Sequence, residues 1–207
     1  MFRTIIKSIA SRLFVLSIPV GLLLGAASMT ADIGQVARAA GPDWGPKWTA
    51  DGKLILPENY HEWVFLGSPL TPHALNDEAA PFPEYHNVYV QPEAFRAYRE
   101  TGEFPEGTIL LKELQLTTER AFADGSSLEV SGRGYFPAAR NGIDISVKDS
   151  SRFAESNNWG FVNFGHHSPP YSTASKVQPI DACAGCHIAN AEDMVFKKFY
   201  RPILEAK

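Results

Sequence analysis

The sequence predicts an α+β domain built on a mainly antiparallel β-sheet with flanking helices. Several segments with strand-like patterns follow one another, turn signals of Gly, Asn or Ser separate them, and helical patterns lie at the ends of the series. The 207 residues suit one folded domain, and a hydrophobic content of 44% is ordinary for a protein with a core. We find no internal repeat.

The N-terminus has the pattern of an export signal. An apolar run over 13–27 follows three basic residues, Arg3, Lys7 and Arg12. Small residues then fit a cleavage site near Ala39/Ala40, so we predict a signal peptide over 1–40 and a periplasmic domain over 41–207. The alternative is an uncleaved anchor, although the apolar run is shorter than the roughly 20 residues of a spanning helix and a proline interrupts it.

The first part of the domain is predicted to be irregular. Residues 41–57 are rich in Pro, Gly and Trp, which predicts an extended arm. Residues 59–66 fit a short helix or a strand, because periodicity does not separate the two. Residues 68–83 contain four prolines and predict a long loop of the kind that often covers a ligand.

The remaining elements follow from local signals. Five segments have strand patterns: residues 88–91, 108–116, 128–131, 143–148 and 159–164. Pro92 suits the first turn of a helix and Gly102 suits its end. A short helix is predicted over 150–155. A C-terminal helical region is predicted from Asp181, as its N-cap, through 191–199 to a stop at Pro202.

The motif with the most specific chemical meaning is CAGCH, in which Cys183 and Cys186 are followed at once by His187. Two thiols at this spacing with an adjacent imidazole are typical of covalent haem c attachment, with the histidine as an iron ligand. The alternative is a redox or zinc-binding CxxC followed by a histidine. These are the only cysteines, no βαβ pattern surrounds them, and the chain carries an export signal, so haem attachment is favoured.

Charge and cysteine content exclude other classes. The net charge of -4 gives no reason to expect a nucleic acid or an anionic membrane as partner. After signal cleavage we expect no membrane attachment. Because the haem would use both thiols, no structural disulfide is expected.

The second axial position of the iron decides what the haem can do. Met194 follows His187 by seven residues, which on one helix is a rise of about 10 Å on the same side of the ring, so a Met/His electron carrier is not favoured. The alternatives are a lysine, an open site that binds small molecules, or a second histidine. The candidate histidines are His61, His73, His86, His166 and His167.

Lys112 is unusual because it lies in an apolar row. Side chains alternate between the faces of a strand, so Lys112 shares a face with Leu110, Leu114 and Leu116. A lysine there is costly unless it is paired, neutral or covalently modified. The alternative is an inward-pointing lysine that protects an edge strand from aggregation.

Other polar residues are open to interpretation. His86 alternates with two valines, which fits a core residue, a ligand or a proton donor. Asp144 shares a strand face with a serine and a lysine, and this pattern alone indicates a solvated acid. His166 and His167 lie beside two prolines, which predicts an exposed loop pair.

Six stretches together resemble the cytochrome P460 family of small periplasmic haem c enzymes that oxidise hydroxylamine. The resemblance covers nearly all of the domain in order, from about Asp51 to the C-terminus. Its motifs are DGKLILPENYHEWVFLG, TPHALND, YRETGEFPEGTILLKEL, SVKDSSRFAESNNWGF, CAGCH and DMVFKKFYRPIL. The related c-prime-beta cytochromes share the fold and bind gases such as nitric oxide.

The resemblance implies roles for particular residues. Cys183 and Cys186 would carry the thioether bonds to haem c, and His187 would be the proximal ligand. Lys112 matches the lysine that family members join covalently to the haem macrocycle, a reaction that would remove its charge. A mainly antiparallel sheet and a homodimer are also implied.

The chain departs from the family at two distal positions. His86 stands where the family has an arginine, and Asp144 stands where it has a glutamate. A distal carboxylate would accept protons from bound hydroxylamine, so Asp144 is the candidate base, His86 a second distal group and Phe82 a pocket wall.

Three hypotheses therefore remain. The first is a hydroxylamine-oxidising enzyme that passes electrons to another c-type cytochrome. The second is a non-catalytic haem protein of the c-prime-beta kind that binds nitric oxide, which an apolar distal pocket would favour. The third is a bis-His electron carrier without exogenous ligands.

Overall fold

The computed structural model describes residues 43–206. The predicted signal peptide over 1–40 and its cleavage position lie outside the described residues. Within 43–206, no helix is both long enough and apolar enough to cross a membrane.

The described chain contains nine strands and three short or medium helices. The strands are β1 (Leu54–Ile55), β2 (Val64–Gly67), β3 (Tyr85–Val90), β4 (Ile109–Thr117), β5 (Ser127–Glu129), β6 (Gly132–Gly134), β7 (Pro137–Lys148), β8 (Trp159–Asn163) and β9 (Ala174–Ser175). The helices are α1 (Pro92–Thr101), α2 (Ala184–Asn190) and α3 (Arg201–Leu204).

A five-stranded antiparallel sheet in the order β2-β3-β4-β7-β8 forms the centre of the domain. Two further two-stranded pairs are β1 with β9 and β5 with β6. The predicted α+β class is therefore confirmed. The edge-strand interpretation of Lys112 is wrong, because β4 is hydrogen-bonded on both sides, to β3 and to β7.

Most predicted elements of the sheet region are present. Helix α1 begins at Pro92 and ends before Gly102, whose φ of 80° is the left-handed conformation that glycine adopts at helix ends. The ambiguous residues 59–66 contain both alternatives, a 3-10 turn followed by β2. The loop over 68–83 is confirmed apart from one 3-10 turn.

Two helical predictions are wrong. The helix expected over 150–155 is only a 3-10 turn at Ala154–Ser156. The C-terminal helix does not continue through 191–199, because α2 ends at Asn190 and Met194, with a φ of 61°, takes a left-handed conformation. The N-cap of α2 is Cys183, two residues after the predicted one.

The two faces of the sheet are covered by different apolar clusters. One face packs against all three helices through Val88, Val90, Leu110 and Phe161, and Cys183 contacts the same cluster. The other face packs against the N-terminal segment through a second cluster. Its buried members are Leu54, Tyr60, Trp63, Ile109, Leu111, Ile143, Ile145, Val147, Val162 and Phe164.

Candidate haem c site

Helix α2 carries the residues of the CAGCH motif. Cys183 and Cys186 are free thiols on its first turn, and His187 follows directly. The Nδ1 atom of His187 lies 2.7 Å from the carbonyl oxygen of Met194, so Nδ1–H donates to that oxygen. This hydrogen bond leaves the Nε2 lone pair available, which is the arrangement found for histidines that ligate metals.

Met194 lies on the His187 side of the site, although for a different reason from the predicted continuous helix. The chain leaves α2 and turns back through a bridge between Glu192 and Val195. The Met194 side chain is buried, and its sulfur accepts a hydrogen bond from Nδ2 of Asn157 at 3.6 Å. Its geometry thus disfavours a sixth ligand from the opposite side of a haem.

Strand register brings four residues into one row across the sheet. Lys112 of β4 lies opposite Val88 of β3 and Asp144 of β7, and Asp144 lies opposite Asn163 of β8. Directly opposite side chains in antiparallel strands share a face and have Cβ atoms about 5 Å apart. Three polar side chains therefore stand side by side on the face that α2 covers.

Lys112 is paired and only partly exposed. Its Nζ atom lies 2.9 Å from Oδ2 of Asp144, and it lies 4.2 Å from the centroid of the Phe82 ring. The ion pair and the cation–π contact together compensate for placing an ammonium in an apolar row. Phe82, which was predicted to form a pocket wall, lies in the long loop and contacts Lys112.

Asp144 is not the solvated acid that its strand pattern indicates. Nδ2 of Asn163 donates to Oδ1 at 2.6 Å, and Nε2 of His166 lies 3.2 Å from the same oxygen. Burial by itself raises the pKa of Asp144, but the hydrogen bonds from His166, Lys112 and Asn163 and the charge of Lys112 outweigh it. The net result is a pKa well below the usual range, so the carboxyl is ionised at neutral pH.

His86 joins this cluster through Phe82. Nε2–H of His86 donates to the carbonyl oxygen of Phe82 at 3.3 Å, and the two rings meet edge to face with centroids 5.9 Å apart. Burial, assisted by the positive charge of Lys112, lowers the pKa of His86 to about 4. His86 is therefore neutral at physiological pH, and its Nδ1 atom is a hydrogen-bond acceptor.

The other candidate histidines divide clearly. His166 bonds to Asp144, and its ring lies 5.6 Å from that of Phe82, so it belongs to the cluster. His61 instead pairs with Glu113, the β4 residue that faces the other way. His73 and His167 are exposed, and Nδ1–H of His167 donates to the carbonyl oxygen of Ser168.

Sequence reasoning missed Asn163 and underestimated His166. Asn163 alternates with Trp159 and Phe161, which are both buried on the same face, so it is a polar residue in an apolar row just as Lys112 is. That signal could have identified it. His166 could not have been placed from pattern, because its position depends on how the loop after β8 folds back over β7.

The CAGCH residues and the polar cluster lie on the same side of the sheet. The ring of Phe161, next to Asn163 along this face, lies 4.5 Å from the ring of His187. Burial chiefly raises the pKa of the Cys183 thiol and lowers that of His187, and the charges of Lys112 and Asp144 act on both. Two thiols, an imidazole with a free Nε2 and a facing polar cluster fit a covalently bound haem.

A cleft of about 400 Å³ lies beside α2 and is lined by Ser151–Ser156, β8 and part of the segment before the helix. Phe161 and Ala184 contribute to its wall, so it adjoins the His187 side. Lys112, Asp144 and His86 do not line it. The reactive groups therefore lie on the sheet face and not in the cleft.

Comparison with known families identifies the family of this chain. A model of the family described as Cytochrome P460 matches residues 57–197, which include both the polar cluster and CAGCH. The chain belongs to the cytochrome P460 family, and its cofactor is haem c. No curated protein matches the sequence.

Proposed function

We propose that this protein oxidises hydroxylamine at a haem c held by Cys183, Cys186 and His187, with Lys112 joined covalently to the macrocycle. The observation that carries the proposal is the Lys112–Asp144 pair, with 2.9 Å between nitrogen and oxygen, on the face covered by α2. A gas-binding protein of the c-prime-beta kind is expected to have an apolar distal side, whereas this face has polar groups that can hold protons.

The haem would bind hydroxylamine through its iron and accept the electrons. Each two-electron oxidation of hydroxylamine, NH2OH to HNO, also releases two protons. The role of this chain's distal residues is therefore to receive protons next to the substrate. General acid–base catalysis of this kind typically contributes about 10²- to 10⁴-fold in rate.

Asp144 is the proposed proton acceptor. It is ionised at neutral pH, and Asn163 fixes its orientation through the 2.6 Å hydrogen bond. Joining Lys112 to the macrocycle would remove the ammonium charge that lowers the pKa of Asp144. The pKa would then rise, and Asp144 would become a stronger base without any change in position.

His86 and Phe82 are proposed to shape the distal side. Nε2–H of His86 is committed to the Phe82 carbonyl, so its Nδ1 atom is the one available to accept a hydrogen bond from a ligand N–H or O–H. The Phe82 ring lies against Lys112, His86 and His166, where it would limit the entry of water.

The proposal also includes a periplasmic location, a homodimer and a c-type cytochrome as electron acceptor. The export pattern supports the location, and the family resemblance supports the other two. The charge of -4 fits a soluble partner without favouring nucleic acid.

The test is hydroxylamine-dependent reduction of a c-type cytochrome or a dye by the purified holoprotein. We expect turnover by the wild-type protein and at least a tenfold loss in Lys112→Met, because the charge and the covalent link are removed while side-chain length is kept. Lys53→Met is the matched control, since Lys53 forms an exposed pair with Asp51. Nitric oxide binding without turnover in the wild-type protein would reject the enzyme in favour of the gas-binding alternative.

A further inference from the structure

We infer that His166 is a positioning and relay residue that holds Asp144 in place and passes its protons to solvent. The inference rests on the proposed function for the source of the protons. It gives His166 a role in proton transfer, whereas the sequence offered it only as a candidate axial ligand or an exposed loop residue.

The geometry of the pair supports this role. Nε2 of His166 lies 3.2 Å from Oδ1 and 3.3 Å from Oδ2 of Asp144, so it faces the middle of the carboxylate. The Asp144 side chain is 23% exposed and that of His166 is 43% exposed. The pair thus leads from the covered face of the sheet to water in one step.

A connected set of contacts builds the loop that carries His166. Asn163 donates to Asp144 through Nδ2 and accepts, through Oδ1, a hydrogen bond from the backbone N–H of Gly165 at 2.9 Å. The backbone N–H of Ile143 donates to the carbonyl oxygen of Gly165 at 3.3 Å. These bonds tie the loop to the strand that carries Asp144.

Gly142 provides the space for this approach. A Cβ atom at Gly142 would lie 2.7 Å from the Gly165 carbonyl oxygen and 3.1 Å from Cδ2 of His166. The first distance is shorter than real Cβ atoms show, so any larger residue must push the loop, and His166 with it, away from Asp144. The position therefore requires glycine for the pair to form.

The proton transfer balances as follows. The carboxyl proton that Asp144 has received passes to Nε2 of His166 in its neutral Nδ1–H tautomer, which leaves a carboxylate and an imidazolium whose Nε2–H again donates to Asp144. The imidazolium releases a proton to water and returns to the neutral ring, whose tautomers exchange through solvent. No electron or further reactant is involved.

Surrounding charges tune this exchange. The hydrogen bond with Asp144 raises the pKa of His166, while burial and the charge of Lys112 oppose it and Glu84 adds a smaller increase. His86, on the other side of Phe82, is neutral and contributes no charge. His166 thus holds a proton at neutral pH more readily than Asp144 does, so transfer runs outward.

The first experiment compares His166→Gln with His167→Gln in the holoprotein. Glutamine keeps a hydrogen bond to Asp144 but cannot titrate, and His167 is the adjacent exposed histidine without contact to Asp144. We expect roughly tenfold slower hydroxylamine turnover in His166→Gln alone. High concentrations of phosphate, a mobile base, should restore much of the rate. Unchanged turnover, or a loss that phosphate does not restore, would overturn the relay.

Gly142→Ala tests the same pair without changing a titratable group. It should reproduce the turnover defect of His166→Gln and its rescue by phosphate, because it displaces His166. A Gly142→Ala protein that is folded and retains wild-type turnover would contradict the assigned role of this glycine.

A second readout does not depend on turnover. Unfolding free energies of the holoprotein are measured for His166→Gln, Asp144→Asn and the double variant at pH 6 and pH 9. A group with a raised pKa stabilises below its unfolded value and loses that contribution as the pH rises through the folded value. We therefore expect coupling at pH 6 that falls by more than half at pH 9. Equal coupling at both values would mean a purely structural bond, whereas pH-dependent coupling in a protein without hydroxylamine turnover would reject the proposed function and leave the pair intact.

Discussion

Lys112 and Glu113 are neighbours on β4 with opposite charges, and each is withdrawn from water on a different face of the sheet. Glu113 is 4% exposed and accepts a hydrogen bond from Tyr60, with Nε2 of His61 3.3 Å away and Arg140 3.7 Å away. Lys112 has one ion-pair partner, Asp144, and lies on the face with the haem-attachment residues. The same strand thus carries a buried carboxylate on one face and a partly exposed ion pair on the other.

The Glu113 side is a structural network centred on one carboxylate oxygen, Oε2, which Tyr60, His61 and Arg140 share. Burial, together with the hydrogen bond to Glu113, raises the pKa of Tyr60, so Tyr60 keeps the hydroxyl proton that it donates. The surrounding side chains belong to the apolar cluster of the second face. These contacts lie on the face opposite the haem-attachment residues, so we expect this face to contribute stability.

The polar groups around Lys112 keep hydrogen-bonding capacity for a ligand. Asp144 has two oxygens that Lys112, Asn163 and His166 share, and His86 keeps a free Nδ1 atom. His166, which contacts Asp144, is exposed to solvent, whereas Glu113 is buried. We therefore expect substitution of Asp144 to affect mainly activity and substitution of Glu113 to affect mainly stability.

The largest expected effect is on turnover. Asp144→Ala should slow hydroxylamine oxidation by about 100-fold or more, because it removes the proposed proton acceptor. Glu113→Ala should change the turnover of the folded protein by less than about threefold, because its side chain faces the other cluster. Steady-state kinetics of the two variants measure this difference, and a larger loss in Glu113→Ala would break the comparison.

The reverse order is expected for stability. Glu113→Ala should lower the free energy of unfolding by about 2–3 kcal/mol, since it leaves the buried Tyr60 hydroxyl without its acceptor. Asp144→Asn should cost about 1 kcal/mol or less, since its pair is partly exposed. Denaturant titration of the holoprotein measures both, with Glu129→Ala, at an exposed strand position, as the control.

A smaller effect should appear in the pH dependence of stability. The folded pKa of His86, about 4, lies below the ordinary value of about 6.5. Its contribution is therefore complete above that ordinary value and is lost as the pH falls towards the folded one. Between pH 7 and pH 5 the wild-type protein should lose about 1 kcal/mol more than His86→Gln, after allowance for partial exposure.

His73→Gln is the matched control for this experiment, because His73 is an exposed histidine in the long loop that precedes β3. It should follow the wild-type curve. If His86→Gln follows it as well, His86 is not buried as a neutral base, and its proposed distal role loses its physical basis. The direction holds with Lys112 joined to haem, because burial is the larger cause.

Local signals were sufficient for much of the fold. Helix α1 has both a proline at its start and a glycine at its end, and β4 has an unbroken pattern, so both were predicted within a residue or two. The predicted C-terminal helix was too long, because no local sequence signal in residues 191–199 indicates the left-handed conformation of Met194. That turn is fixed by tertiary contacts, including the hydrogen bond between its carbonyl and His187.

The site divides in the same way. Lys112 and the CAGCH motif were visible because a charge in an apolar row and a fixed spacing are local patterns. Asp144 was assigned to the site by resemblance alone. On its strand it shares a face with a serine and a lysine, and this polar pattern indicates a solvated acid. Its burial depends on partners from β4, β8 and the following loop, which only the register of the sheet brings together.

The covalent state of Lys112 separates the enzyme from the gas-binding alternative most directly. The measurement is mass spectrometry of the protease-digested holoprotein, which asks whether the Lys112 peptide travels with the haem peptide of Cys183 and Cys186. We predict that it does, and that Lys53 appears in an unmodified peptide of the same digest. A free Lys112 peptide, with haem on both cysteines, would contradict the proposal that this side of the sheet is the reactive side of a cytochrome P460 enzyme.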